Sequence, residues 1–392
     1  MRLALTDEQE ALRLKLRSYF EDIVTPEIEE EMAVGEMGGP KALVAARKMG
    51  EDGVLALGWP TEYGGGGLGP VEQFIYYDEA QRAGAPLPML SLNSVAPTIM
   101  AFGSQAQKDF FLPKILAGEI QFAIGYTEPG SGTDLASLKT KAERDGDEWV
   151  INGQKIFTSI AEHADYLWLA VRTDPDAPKH RGISIIIVPT DAPGYSRTPI
   201  NIMGDAKTNV TYYDNVRVPL DNLVGDVNRG WDLIVNQLNY ERVALAPPGW
   251  VDRQYTAVKQ WAKDTKLADG RRVIDQEWVQ YNLAKVHAKL DVLRLINWKV
   301  AWSAGNEKLN PADASATKVY GTELFCEAYG LLLEILGPAG VLKRGSPEAL
   351  LRGSLERAYQ GTLILTFGGG TNEIQRDLIA IFGLGMPRAI ST

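Results

Sequence analysis

The stretch from Phe122 to Ser159 constrains this chain more than any other. It opens on Ile124-Gly125-Tyr126-Thr127-Glu128-Pro129-Gly130-Ser131-Gly132-Thr133-Asp134 and closes on Ile151-Asn152-Gly153-Gln154-Lys155-Ile156-Phe157-Thr158-Ser159. The first half is a tight turn of glycine, proline and small hydroxyl residues. Such a turn lets backbone N–H groups approach an anionic or heteroaromatic ligand, here with the Thr127 and Thr133 hydroxyls beside them. The second half reads as a strand, a turn at Asn152-Gly153 and a second strand ending in an aromatic and two hydroxyl residues, as a β-hairpin would. Either half alone is as readily an ordinary turn; the two in this order are more specific.

Around this stretch the pattern runs helix, sheet, helix. Residues 1 to about 120 read as helical. Thr6 with Gln9 has the spacing of a capping box, and Leu12, Leu16, Phe20 and Ile23 follow at helical spacing until Pro26. Ser104 with Gln107 repeats the device ahead of Phe110, Phe111, Ile115 and Leu116, and Gly118 closes that helix. Gly64 to Gly67 reads as a flexible turn and not a phosphate loop, because no Lys-Ser/Thr follows. A helical pattern over 72–82 breaks at Gly84, Pro86 and Pro88. From about 121 to 230, Trp168 to Val171, Ile183 to Val188 and Val210 to Val218 read as strands. From Gly230 the helical period returns, with Trp278, Leu283, Val286, Leu290, Leu293 and Ile296 expected as one buried stripe. The expected division is 1–120, 121–230 and 231–392.

With 392 residues, 45% hydrophobic and 23% charged, the chain has the balance of a globular protein of two or three domains. A net charge of -10 argues against nucleic acid or an anionic membrane as partner, since both reward excess Lys and Arg. The lone Cys326 permits no internal disulfide, and His163, His180 and His287 lack ligand spacing, so no metal site is expected. Met1 to Gln9 is polar and opens a helix, and no run of 18 apolar residues stands out. A cytoplasmic location is expected.

The Phe122 to Ser159 segment resembles the flavin-binding signature of the acyl-CoA dehydrogenase family in order and spacing, and the resemblance covers essentially the whole chain. It implies the acyl-CoA dehydrogenase fold: an N-terminal all-α domain, a middle β-domain and a C-terminal α-helical bundle. It also implies FAD, with Tyr126, Thr127, Gly132 and Thr133 along one side of the cofactor and Phe157, Thr158 and Ser159 against the isoalloxazine. Thr371 and Glu373 join the cofactor-binding set. In that family the region near residue 86 walls the acyl pocket, so the break there either widens the cavity or is a plain interhelical turn.

Dehydrogenating a thioester between Cα and Cβ needs a base for the Cα proton, the flavin N5 for the hydride, and a polarised carbonyl. A carboxylate suits the base, because desolvation raises its pKa toward working pH. Many family members carry that glutamate in the loop before the last helix. Here the loop is Phe367-Gly368-Gly369-Gly370-Thr371-Asn372-Glu373-Ile374-Gln375-Arg376, and Gly369 stands at the position of the base. Glu373, four residues on, reads as a carboxylate in the first turn of a helix, favoured by the dipole. A minority of the family place the base on an earlier helix in a Leu-x-x-Glu-Arg context. Leu238-Asn239-Tyr240-Glu241-Arg242 reproduces that context. The resemblance therefore implies Glu241 as the base, with Asn239, Arg242 and Gly369 beside the substrate.

Family members share FAD between subunits, a neighbour gripping its pyrophosphate and adenosine with Arg-x-x-Phe-Gly and Gln-x-x-Gly-Gly turns. Asp264 to Gly270 and Glu334 to Pro338 stand in their place here. The resemblance thus implies an α2β2 heterotetramer with a related β subunit, the alternative being a homotetramer with weaker FAD contacts. Asn93 to Thr98, Glu241 to Leu245, Glu277 to Gln280 and Phe367 to Arg376 resemble the base-bearing subunit of bacterial steroid-degrading acyl-CoA dehydrogenases. A steroid side-chain CoA ester is the implied substrate and electron-transfer flavoprotein the implied acceptor, direct use of O₂ staying open. A dehydrogenase of branched or long aliphatic acyl-CoAs and a non-catalytic scaffold are the competing readings.

Overall fold

The computed structural model describes residues 4–34, 38–241, 246–306 and 310–388, with backbone alone for Val34 and residues 238–241. Helices α1 (Asp7–Ile23), α2 (Pro26–Val34), α3 (Pro40–Glu51), α4 (Pro70–Ala83), α5 (Ala96–Phe102) and α6 (Gln105–Leu116) come first. Strands β1 (Phe122–Gly125), β2 (Lys141–Asp145), β3 (Glu148–Lys155), β4 (Tyr166–Arg172), β5 (Ile183–Pro189), β6 (Tyr195–Asn201), β7 (Lys207–Pro219) and β8 (Leu223–Val224) follow. Helices α7 (Gly230–Glu241), α8 (Gly249–Asp264), α9 (Glu277–Asn306), α10 (Pro311–Leu336), α11 (Ser354–Thr362) and α12 (Asn372–Leu378) complete the order. The chain makes two compact units, one of Met1–Thr25, Leu68–Ala85 and Arg242–Thr392, the other of Pro26–Gly67 and Pro86–Glu241. The Gly84 to Pro88 break falls where the chain leaves the first unit for the second. Gly84 closes α4 in the left-handed conformation there.

Both capping boxes form. The Thr6 hydroxyl accepts the Gln9 N–H at 3.2 Å while the Gln9 side chain accepts the Thr6 N–H at 3.0 Å, and Ser104 with Gln107 does the same. Gln107 does more, donating to the Asp221 and Leu223 carbonyls at 2.8 Å each and so tying α6 to β8. The glycine loop is a closed turn: the N–H groups of Gly65, Gly66 and Gly67 donate to the carbonyls of Pro60, Ala56 and Trp59. Donors used internally are not offered to a phosphate.

In the second unit an eight-stranded sheet runs β6-β7-β3-β2-β4-β5-β8, with β1 pairing in parallel with β4. Its core is the β-branched and aliphatic set Ile151, Leu167, Leu169, Val171, Ile186, Val188 and Val216, all buried. The expected hairpin turn is elsewhere. Asp145 pairs with Glu148, so the β2–β3 turn is Gly146-Asp147, and Asn152-Gly153 lies inside β3 as a bulge where the register with β7 shifts. Asn152 is engaged by Asn215, whose N–H it accepts at 2.9 Å. Gly153 has φ +148°, and a Cβ there would stand 2.6 Å from the Thr140 hydroxyl. Only glycine lets β3 pass that close.

In the first unit, Glu79 of α4, 2% exposed, takes a forked pair of bonds from Arg17 of α1 at 2.8 and 2.7 Å. The buried stripe of α9 begins one residue later than expected: Val279, Leu283, Val286, Leu290 and Leu293 are buried, whereas Trp278 is 45% exposed and Ile296 only half-buried. Asn297 takes the next core position because its amide donates to the carbonyls of Ala246 and Leu293 at 3.1 and 2.9 Å. Pro311–Val341 has a stretch of mean hydropathy 1.4, long and apolar enough to cross a bilayer by composition. In the fold, Phe325, Ala328 and Leu332 of α10 instead pack with Val286 and Leu290 in the bundle core.

Candidate active site

The two halves of the Phe122 to Ser159 stretch meet in the second unit. Glu128 and Ser131 exchange backbone hydrogen bonds at 2.9 and 3.1 Å and close the loop after β1. Ile156 then donates its N–H to the Thr127 carbonyl at 2.9 Å. Beneath them Lys155 of β3, fully buried, lies 2.8 Å from the Glu128 carboxylate and donates to the Tyr126 carbonyl at 3.1 Å. Glu128 also accepts the N–H groups of Lys139 and Thr140 at 2.7 and 2.8 Å. Burial works to raise the Glu128 pKa, but the Lys155 ammonium and these N–H groups overcome it and hold the carboxyl below its usual range.

Beyond β3 the backbone becomes strained. Phe157 sits at φ +58° and Ile160 at +56°, a conformation that bulky residues rarely adopt and that persists only where neighbours enforce it. Thr158 supplies the enforcement, donating its N–H to the Asn209 carbonyl at 2.9 Å and accepting the Asn209 amide on its own carbonyl at 3.3 Å. The result presents Phe157 57% exposed, while Thr158 is buried and Ser159 half-buried. In the loop, Gly132 and Thr133 are exposed, and Cβ atoms at Gly130 and Gly132 would meet nothing within 4 Å. Among the described residues, Ser131 Oγ and Asn209 Oδ1 are buried without a hydrogen-bond partner. An exposed aromatic face, an open glycine loop and waiting polar atoms fit a flat heteroaromatic group with a polar edge.

Tyr126 is turned toward a helix. Its hydroxyl donates to Gln237 Oε1 of α7 at 2.5 Å and accepts the Trp168 indole N–H of β4 at 3.1 Å. Gln237 and Trp168 were not singled out from sequence; a buried glutamine four residues before Glu241 was the available signal. Asn239 and Glu241 have their backbone in α7, but their side chains, and Arg242 altogether, lie outside the described residues.

In the first unit, Gly369 has φ +67° and Gly370 +95°. A glutamate at the first of these positions would carry backbone strain. Lys318 of α10, 2% exposed, holds this loop by donating to the carbonyls of Thr366 and Gly370 at 3.3 and 2.7 Å and to Asn372 Oδ1 at 2.7 Å. Burial pulls its ammonium down to about 8, although Glu373 and Glu323 favour the charge. Thr371 is the N-cap of α12, accepting the Ile374 N–H at 3.2 Å, and Glu373 is exposed in the first turn of that helix. Lys318 too was missed, since a lysine inside a helical pattern reads as solvent-facing. In the region replacing the first pyrophosphate turn, Arg271 pairs with Asp269 and Arg272 with Asp275, both at 2.7 Å. In the second, Glu334 accepts from Asn282 at 3.0 Å.

Residues 6–119, 123–216 and 228–383 match, in turn, the acyl-CoA dehydrogenase N-terminal, middle and C-terminal domains. The chain belongs to the acyl-CoA dehydrogenase family. It has the family's fold, with an N-terminal all-α domain, a middle β-domain and a C-terminal helical bundle, and it is an oxidoreductase acting on CH–CH bonds. Among relatives, the acyl-CoA dehydrogenase FadE26 of Mycobacterium tuberculosis is 56% identical over 99% of this chain and 100% of its own length. Among solved structures, a chain of the ChsE4-ChsE5 complex from Mycobacterium tuberculosis is 56% identical with a TM-score of 0.93, covering 99% of this acyl-CoA dehydrogenase and 100% of that chain. A chain of the Tcur3481-Tcur3483 steroid acyl-CoA dehydrogenase is 48% identical with a TM-score of 0.94, over 99% and 100%.

Proposed function

We propose that this chain is the base-bearing subunit of an FAD-dependent steroid acyl-CoA dehydrogenase, which removes hydrogen from Cα and Cβ of a steroid side-chain CoA ester. Glu241 takes the Cα proton. The observation that supports this choice is Gly369: the loop position that bears the base in many relatives holds a glycine in a left-handed conformation, so the carboxylate has to come from elsewhere. Glu241 lies in α7, in the same unit as the loop of Thr127, Gly132 and Thr133 and the platform of Phe157, Thr158 and Ser159.

Those residues, with Tyr126, would hold the isoalloxazine side of FAD, and Thr371 and Glu373 would lie toward the rest of the cofactor. Bound FAD supplies the acceptor for the Cβ hydride. The protein's part is to keep Phe157 exposed as a flat apolar surface, to hold the loop open through the Glu128–Lys155 pair, and to place a carboxylate at Cα. Asn239, Arg242 and Gly369 would line the substrate. The early break after α4 would leave room for fused rings.

A related second chain completes the assembly as an α2β2 heterotetramer. The locally paired Arg271 and Arg272 and the Asn282-bound Glu334 support this, since both guanidiniums are engaged by neighbouring carboxylates and Glu334 is an anion where a phosphate would have to lie. The two solved relatives, named as a complex of two chains and as a paired steroid enzyme, support it further. Electron-transfer flavoprotein is the proposed acceptor. The test is flavin content and dye-linked turnover of the chain alone and co-expressed with a related second subunit, on steroid and aliphatic CoA esters. Flavin and steroid-CoA activity confined to the co-expressed complex is expected; a lone chain that is fully flavinated and prefers aliphatic esters would overturn both the substrate and the assembly.

A further inference from the structure

The hydrogen-bond chain Trp168–Tyr126–Gln237 links the sheet to α7, the helix that carries Glu241, and the mechanism so far makes no use of it. We infer that Gln237 is a positioning residue for the base, held in register by the Tyr126 hydroxyl; this rests on the assignment of Glu241 above.

Donor chemistry fixes the direction of the first bond. An indole N–H can only donate, so Trp168 gives its hydrogen to the Tyr126 oxygen at 3.1 Å. The tyrosine hydrogen then goes to Gln237 Oε1 at 2.5 Å, which sets the glutamine amide one way round. Both ends are out of water, Trp168 at 0% exposure and Gln237 at 1%. In such surroundings each bond polarises the next, and an unmatched group is expensive.

The anchor is rigid at its origin. Trp168 lies in mid β4, which pairs with β5 along one edge and with β1 along the other, and Tyr126 follows directly on β1 with its carbonyl held by Lys155. At the far end lies α7, described over Gly230–Glu241. Among its described side chains, Leu233, Ile234 and Gln237 are buried, and Gln237 is the polar one nearest the C-terminus. Apolar contacts tolerate rotation of a helix about its axis; a directed hydrogen bond does not. Glu241 is four residues further on, one turn along, so the rotation fixed at Gln237 is carried to the base.

The experiment uses the flavinated holoenzyme with its partner chain and compares Tyr126→Phe, Gln237→Met, the double variant and Glu241→Gln. Each single change keeps the size of the side chain and removes the Tyr126–Gln237 bond; Tyr126→Phe also takes the acceptor from the Trp168 indole, so it sets the level that the double variant is compared with. Because misplacement by about 1 Å can cost on the order of 100-fold, kcat should fall about 10- to 100-fold with KM nearly unchanged. The double variant should be no worse than the singles, as expected of one shared interaction. Hydrogen exchange should quicken in the 230–241 segment in both singles, with flavin content unchanged in Gln237→Met, whose side chain is outside the flavin-holding set. Single variants within about twofold of the parent in kcat, or losses that multiply in the double variant, would overturn the inference while an inactive Glu241→Gln left the base assignment standing. Flavin loss in Gln237→Met would also overturn it, by showing that the glutamine serves the cofactor. Normal turnover by Glu241→Gln would remove the base assignment and the inference with it.

Discussion

The Lys155 ammonium stands 2.8 Å from the Glu128 carboxylate, in a pair that is almost wholly excluded from solvent. It joins the loop after β1 to the end of β3, two segments 27 residues apart in sequence. The loop's shape is therefore set by a buried charge pair in which Thr140 N–H shares Glu128 Oε1 with Lys155 and Lys139 N–H satisfies Oε2.

Glu128→Gln leaves Lys155 buried without its counter-charge and is expected to cost about 3–5 kcal/mol in urea unfolding, with weaker retention of flavin. The pH dependence has a definite sign. The folded carboxyl titrates below its ordinary value of 4.5, so its contribution is complete above that value and is lost as pH falls through the lower, folded one. Thermal unfolding of the parent should lose stability steeply in that acid range, and the variant should show a flatter profile.

Asp78 of α4 behaves oppositely. Its carboxylate accepts the Gly249 N–H at 2.6 Å at the start of α8, yet burial pushes its pKa up to about 7. The folded state then holds a proton that the unfolded state releases near 3.8, so this group takes stability away as pH rises from about 4 to about 7. Asp78→Asn keeps an acceptor for Gly249 and should abolish that slope, as read from melting temperature against pH.

Lys318→Met removes the donor from the Gly370 carbonyl and Asn372 Oδ1, each within 2.7 Å of the ammonium. An expected loss of about 1–3 kcal/mol follows from the buried Asn372 side chain, whereas the exposed Gly370 carbonyl can turn to water. Faster hydrogen exchange confined to residues 366–372 is the accompanying signature.

Much of this architecture is legible in the sequence because it is written in local chemistry. Thr6 with Gln9 and Ser104 with Gln107 cap helices through neighbours three residues away, and the β-branched run at Ile183 to Val188 marks a strand buried on both faces. Features set by distant partners were hidden. Asn152-Gly153 has the composition of a hairpin turn, but Asn215 and the closeness of Thr140 make it a bulge. Trp278 has helical spacing with the stripe of α9, yet the core begins at Val279. Lys318, Gln237 and Trp168 are polar groups at buried positions, and no periodicity announces which of them will find a partner.

The central claim is that Glu241 accepts the Cα proton. Its most direct test is single-turnover flavin bleaching of the flavinated complex carrying Glu241→Gln, mixed with a steroid side-chain CoA ester. Full flavin content and tight ester binding are expected, with a rate of bleaching lower by about 10²- to 10⁴-fold, the usual contribution of a positioned base. Bleaching at a rate close to that of the parent would contradict the claim and place the base on another residue.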